Sequence, residues 1–470
     1  MTIRTPAAVS ARIRPIDPAA FRARALAKQR LQAERTNERV IAVILFLVPF
    51  VIFIRIDLVT ALYLPTALIL LLTPFVLLGR TTARIPRGVT VFATLCVLWL
   101  GALIVSDLLA GSALSDALRG WVRAGVTLVT TIVLALLVDG RADRAKIFVV
   151  GWALGSILIP LAAPDPLLQS NLWKWGFGMP LTALATLVAC RPSAAARGRL
   201  VLMLPLLLVG VVSIVAGARF VAATALTAVL VMVVVPFLGG RRAPSIKQAI
   251  GLGMVGVVLI AVLVPAYGSA ARGGLFGEEI QLQAEQQQGP LGLLPGVRSE
   301  YFGSVPAIID SPILGRGSWP IDHGGHYTRL VVENAASAGY AALYYRAQLV
   351  SNGGVLIIPS HAHVTQGWIE AGVLGALPWL WVGYLAVRAL MAGDPRQSEL
   401  TPLVVWVAIV VLMDVLFSPY SATRLIYTPF FVVLLSTAAW RRGSEAGVEV
   451  TAVTPAKKLT PTPLRRVRPV

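Results

Sequence analysis

The feature that most constrains this chain is a succession of apolar runs, each about twenty residues long, separated by short polar or basic segments. A helix of that length spans the ~30 Å hydrocarbon core of a bilayer. In lipid every backbone N–H and C=O has to be satisfied within the chain, so a run of this kind folds as a helix. The length, 470 residues, would on its own imply two or three soluble domains. A composition 57% hydrophobic and only 13% charged excludes that and places the chain among polytopic membrane proteins. Twelve spans are read at 40–54, 58–78, 89–108, 121–139, 145–163, 174–190, 199–216, 220–238, 248–266, 364–390, 400–418 and 423–440. Arg55 and Asp57 interrupt the first pair and predict a tight hairpin tip there.

Lys and Arg placement sets the orientation, because basic loops are retained in the cytoplasm. With the N-terminus inside, thirty of the 41 basic residues fall on inner segments, nine of them in the N-terminal tail and seven after residue 440. Both termini are therefore expected in the cytoplasm. The expected organisation is a basic tail at 1–39, nine spans within 40–266, an outward-facing periplasmic loop at 267–363, three spans within 364–440 and a basic tail at 441–470. The stretch FRARALAKQRLQAERTNERV reads as a basic helix lying on anionic lipid. It contains no apolar core of the kind a cleaved signal peptide needs. The net charge of +19 accordingly points to a membrane surface, and no nucleic-acid motif accompanies it.

Chemistry is expected in the loop, since titratable groups are costly inside the hydrocarbon. All four histidines, His323, His326, His361 and His363, fall there, the last two opening SHAHVTQGWIEAGVLG. Neutral imidazole is the natural general base near pH 7. Val297, Tyr301, Val305 and Ile308 recur at helical spacing, so 297–309 reads as an amphipathic helix, stopped by Asp310, Ser311 and Pro312. Gly315 and Gly317 then predict a tight turn, and a second helical stretch is expected over 329–350. Three outer-face arginines, Arg219, Arg298 and Arg316, carry planar forks suited to phosphate oxygens, against a plain reading as snorkelling or salt-bridged side chains. Glu370, inside the tenth span, needs a partner or a wet cavity, and Asp414 raises the same question, with a structural ion pair the preferred answer. Cys96 and Cys190 are placed where no disulfide is expected, and no Gly-rich phosphate loop, CxxC pair or HExxH occurs.

Taken in order, AGAR ending at Arg219, then Arg298 followed by IIDSPILGRGSW, then HAHVTQGWIEAGVLG, the chain resembles the O-antigen ligase and O-antigen polymerase superfamily of bacterial envelope proteins. His361 falls on the family histidine, with Gln366, Trp368, Glu370, Gly372 and Gly375 in register. Ala362 replaces the family's Asn, Thr365 its Leu, and His363 is an additional histidine. The likeness is specific over about 210–380 and topological elsewhere. It implies an inverting, metal-independent glycosyltransferase of the inner membrane with no cofactor. The donor would be an undecaprenyl-diphosphate-linked oligosaccharide, and the acceptor a lipid A core sugar or a growing polysaccharide. His361 or His363 would be the base, with Glu370 orienting it or pairing an arginine, and Arg219, Arg298 and Arg316 would hold the diphosphate. Tyr301, Trp319 and Trp368 would line a sugar path or an interfacial belt. Two other classes compete. Asp322, His323, His326 and the HAH pair offer donors for a metal-dependent enzyme, and Glu370 and Asp414 with the arginines would equally line the pathway of a lipid-linked-glycan transporter or flippase.

Overall fold

The computed structural model describes residues 18–57, 61–79, 85–162, 171–190, 196–239, 267–286, 299–334, 349, 354–391, 399–421 and 424–437. The chain forms two compact units, Met1–Ile44 and Leu45–Val470. The first ends within the 33-residue helix α1, Pro18–Phe50, and its described side chains over 26–37 are exposed, as a basic, polar helix requires.

The second unit is overwhelmingly helical. Helices α2 to α8 span Leu64–Gly79, Arg87–Ala110, Leu114–Val138, Ala142–Ala162, Gly178–Ala189, Ala196–Val215 and Arg219–Gly239. A single π-helical turn, Trp173–Phe177, leads into α6. Short helices follow, among them α9 at Glu278–Gln286, α10 at Tyr301–Asp310 and α11 at His326–Glu333. The chain then runs through α12, His363–Met391, α13, Thr401–Phe417, and α14, Arg424–Ser436. Helices thus occupy eleven of the twelve segments read as spans, and 248–266 lies outside the described residues. Four of them, α3, α4, α5 and α12, are long and apolar enough to cross a membrane. Shorter apolar stretches are Leu64–Gly79, Val201–Val215, Arg219–Val233, Thr401–Phe417 and Arg424–Ser436. Large apolar side chains such as Leu71, Phe75, Leu78, Leu108 and Leu109 stand exposed, which suits lipid rather than water.

The hairpin tip expected at Arg55 and Asp57 is a two-stranded one. Arg55–Asp57 pairs antiparallel with Ala61–Tyr63, in the register Arg55 to Tyr63 and Asp57 to Ala61. The amphipathic helix read over 297–309 begins at Tyr301; 297 and 298 are outside the described residues, as is most of the helical stretch read over 329–350, of which α11 is the described part.

Packing centres on α12, which lies against α3 and α13, while α3 and α14 pack on α4. Trp99, Trp379, Trp406, Phe92 and Phe148 are fully buried there. Small residues allow close approach elsewhere: Gly151 and Gly155 sit directly on the backbone carbonyls of Phe46 and Phe50, leaving no room for a Cβ. The loop segment carries its own small core, in which Ala307, Tyr327 and Ile358 pack on Ile369 of α12. This contact brings the loop onto the end of the helix where chemistry was expected.

Candidate functional site

The tenth span, read as continuous over 364–390, is broken. Ala371 (φ −132°, ψ 19°) and Gly372 (φ 63°, ψ −157°) are non-helical inside α12. Gly372 occupies a region that is essentially closed to other residues. Such a break leaves the last carbonyls of the first half and the first N–H groups of the second without helical partners, a costly state away from water. Loop residues 310–319, DSPILGRGSW, supply them. The N–H of Arg316 donates to the Ile369 carbonyl (2.8 Å), that of Gly317 to the Glu370 carbonyl (3.0 Å), and that of Val373 to the Pro312 carbonyl (3.0 Å). The Ser106 hydroxyl of α3 also donates to the Glu370 carbonyl (2.9 Å), and Trp368 Nε1 donates to Pro312 (2.8 Å). Contact is close enough that a Cβ on Gly372 would strike the Ile313 carbonyl, and one on Gly315 would strike the backbone of Glu370 to Gly372. Gly367 and Gly375 meet in the same way, which lets the two halves of α12 fold against each other. The residues matching the family string therefore have physical duties here, and most of those duties are to make and fill this break.

Glu370 finds its partner at this point. Its carboxylate forms a buried ion pair with Arg123 of α4, both side chains being about one-twentieth exposed. Gln366 steadies the pair, donating from Nε2 to Glu370 Oε1 (3.2 Å) while its own Oε1 accepts the Tyr420 N–H (2.9 Å). The Arg123 guanidinium lies over Trp319, 4.8 Å from the ring centroid, and Trp319 is held at φ 51°, a strained backbone for a bulky side chain. The next anchor is Asp107 of α3, whose carboxylate accepts from the Ser318 N–H (2.6 Å), the Ser318 hydroxyl (2.8 Å) and Trp121 Nε1 (2.8 Å). A buried pair of this kind is costly to desolvate and more costly to break. Its role is to hold the loop and helix in register.

The two histidines of HAH separate cleanly. His363 is fully buried, with edge-on contacts to Trp379 and Tyr420 at 5.0 and 5.1 Å. Its Nδ1 lies 2.5 Å from the Ser418 carbonyl oxygen, and because a carbonyl only accepts, that nitrogen carries the proton. His361 is 43% exposed at the side chain, and its Nδ1 stands 3.7 Å from Oε1 of Glu300, a carboxylate at the start of α10 that is only 8% exposed. Oε2 of Glu300 has no hydrogen-bond partner among the described residues.

The arginines are spread more widely than the string of motifs implies. Arg219 begins α8, its guanidinium 5.2 Å from the Tyr267 ring centroid and its Nε 3.3 Å from the Tyr267 hydroxyl. Arg298 lies outside the described residues, two positions before Glu300. Arg316 donates from Nη2 to the Tyr327 hydroxyl (2.5 Å), and lies 3.4 Å from Asp310. Tyr327 in turn donates to Asp310 (2.5 Å), and burial first, then that hydrogen bond, push its hydroxyl up to about 12. Arg316 is thus tied into the loop's own frame. Asp414 is paired with Arg424 at 2.8 Å, the structural ion pair preferred from sequence.

Asp322, one of the expected metal donors, is buried and caps α11. Its carboxylate accepts the N–H groups of Tyr327 (3.2 Å) and Thr328 (2.7 Å) and the Thr328 hydroxyl (2.6 Å). Among the described residues no group of three His, Cys, Asp or Glu side chains is arranged to hold a metal ion. Of the aromatic residues, Tyr301 donates to the Leu416 carbonyl, Trp319 carries Arg123, and Trp368 bonds Pro312. Each has a packing duty. Sequence reasoning missed Arg123, Asp107 and Glu300; the available signal was that an intramembrane acid such as Glu370 needs a base, and Arg123 is the one cation within the span read over 121–139.

No known protein family's model matches the chain, and no curated protein is significantly similar to it.

Proposed function

We propose that the chain is a membrane glycosyltransferase of the O-antigen ligase and polymerase type. In this reading it crosses the bacterial inner membrane twelve times with both termini in the cytoplasm. It moves a glycan from undecaprenyl diphosphate to an acceptor hydroxyl at the periplasmic face. The observation that carries the proposal is the His361–Glu300 pair: a half-exposed imidazole beside a buried carboxylate, two residues before the start of α12, a helix whose break is bonded by the 310–319 segment. A carboxylate in that position orients the ring for proton transfer, as a general base requires.

The neutral His361 imidazole removes the proton from the acceptor hydroxyl as its oxygen attacks the anomeric carbon. The bond from that carbon to the diphosphate oxygen breaks, and the electron pair leaves with the lipid diphosphate. Attack from the opposite face inverts the centre. Arg219 and Arg298 would meet the growing charge on the leaving group. Arg316 could join them only by exchanging its bonds to Tyr327 and Asp310. His363 and Glu370 act in this reading by shaping the segment that carries His361.

The test is transfer by purified protein from an undecaprenyl-diphosphate oligosaccharide, with lipid A core and lipid-linked glycan offered separately, with and without chelator. Chelator-resistant transfer by wild type that is lost in His361→Ala supports the proposal and identifies the acceptor. Transfer by His361→Ala at the wild-type rate overturns the assignment of the base.

A further inference from the structure

A second feature, away from the broken helix, lies beside Arg219. Two hydrogen bonds stitch the approach to α6 onto the end of α7: the Asn171 side-chain amide donates to the Ala216 carbonyl (3.1 Å), and Trp173 Nε1 donates to the Ser213 hydroxyl (2.9 Å). Asn171 Oδ1 also accepts the Lys174 N–H (2.8 Å). The π-helical turn Trp173–Phe177 follows, and it turns Trp173 inward while presenting Lys174 and Trp175 outward. Isolated π turns of this kind are concentrated at functional sites. The Lys174 ammonium stands 4.7 Å from the Trp175 ring centroid.

These side chains border a cleft of about 450 Å³, lined also by Gly217, Phe276 and Glu278. That volume falls within the range of small-ligand sites, roughly 300–1,000 Å³. An interfacial belt explains an exposed Trp or Lys taken singly. It does not explain an anchored segment that sets both residues at the border of a cleft that Glu278 also lines. The composition matches a sugar: an indole face for the C–H side of a pyranose ring, an amide and a carboxylate for hydroxyls, and an ammonium for an acid group. Arg219, which the transferase reading sets against the diphosphate, follows the lining residue Gly217 by two positions.

We propose that the cleft binds a segment of an acidic glycan, with a uronate carboxylate on Lys174 and a pyranose ring on Trp175. The proposal deepens the transferase reading and rests on it for the presence of a glycan near Arg219. The same carboxylate-binding chemistry would also accept an anionic lipid headgroup, and the experiment separates the two.

Full-length protein in nanodiscs of phosphatidylcholine is titrated calorimetrically with a hexasaccharide containing glucuronate and with neutral maltohexaose. The acidic hexasaccharide should bind and the neutral one bind at least about tenfold more weakly, with Trp175→Ala and Lys174→Gln each weakening the acidic sugar by about tenfold. Lys174→Arg should retain binding, and His361→Ala should leave it unchanged. Equal binding of the two sugars, or wild-type affinity in Trp175→Ala, overturns the proposal. Binding of the acidic sugar that disappears in nanodiscs containing phosphatidylglycerol assigns the cleft to lipid and also overturns it. Glycan binding without any transfer would remove the transferase reading and leave the cleft standing; transfer without cleft binding would do the reverse.

Discussion

The broken helix and the cleft beside Arg219 are both polar features in an apolar protein, and they spend their polar groups differently. At the break, carbonyls and N–H groups are consumed by the 310–319 segment, Glu370 by Arg123 and Asp107 by Ser318 and Trp121. Glycines there meet backbone without space for a methyl group. In the cleft, Lys174 and Trp175 are exposed, and the hydrogen bonds that hold them come from Asn171 and Trp173 instead. Polarity turned inward fixes a shape, whereas polarity turned outward on an anchored segment borders a cleft.

This contrast can be broken most directly at Gly372. A Cβ there requires a left-handed backbone and collides with the Ile313 carbonyl, so Gly372→Ala should destabilise the protein by about 3 kcal/mol or more. Thermal unfolding in detergent checks this, and an unchanged Tm would mean that the loop is not docked as described. Arg123→Ala should come next, because it strands a buried carboxylate at a cost of about 3–5 kcal/mol. Adding Glu370→Gln should recover part of that loss, and strictly additive losses would show that the two side chains do not interact.

The two histidines sharpen the comparison over a distance of two residues. His361→Ala should lower transfer at least about 100-fold with little change in Tm, as expected for a lost general base. His363→Ala should lower Tm, by roughly 2–4 kcal/mol of stability for a truncated buried ring, while transfer per folded molecule stays well above that of His361→Ala. Reversal of that order would move the base to His363. A smaller effect is expected at Ser106→Ala, about 1 kcal/mol, since the Gly317 N–H still donates to the Glu370 carbonyl that Ser106 serves. Trp175→Ala should stay within about 0.5 kcal/mol of wild type, and a larger loss would mean that this indole supports the fold.

Helix positions were legible because apolar runs report burial directly, and the hairpin tip because Arg55 and Asp57 interrupt one. The break in α12 was not, since its compensation comes from Pro312, Arg316 and Gly317, more than fifty residues upstream, and hydropathy runs smoothly across Ala371 and Gly372. Glu370 was recognised as needing a partner, yet Arg123 lies 247 positions away and nothing local links them. The HAH pair was visible as chemistry, but which ring is buried depends on Trp379, beyond the break in α12, and on Tyr420, which follows α13. Glu300 was hidden for the same reason: it is one acid in a polar loop until the fold sets it beside His361.

The docking of 310–319 also dictates an order of events during synthesis. Ser106 and Asp107 on α3 are made 211 residues before the Gly317 and Ser318 groups they bind, and Arg123 is made 247 residues before Glu370. A chain that inserts as it is translated must therefore carry an acid and a cation on α3 and α4 through most of its assembly without their final partners. The nascent protein is weakest in that interval, when water or a membrane chaperone has to cover those groups. The latch can form only once residues 310–319 and Glu370 have been made.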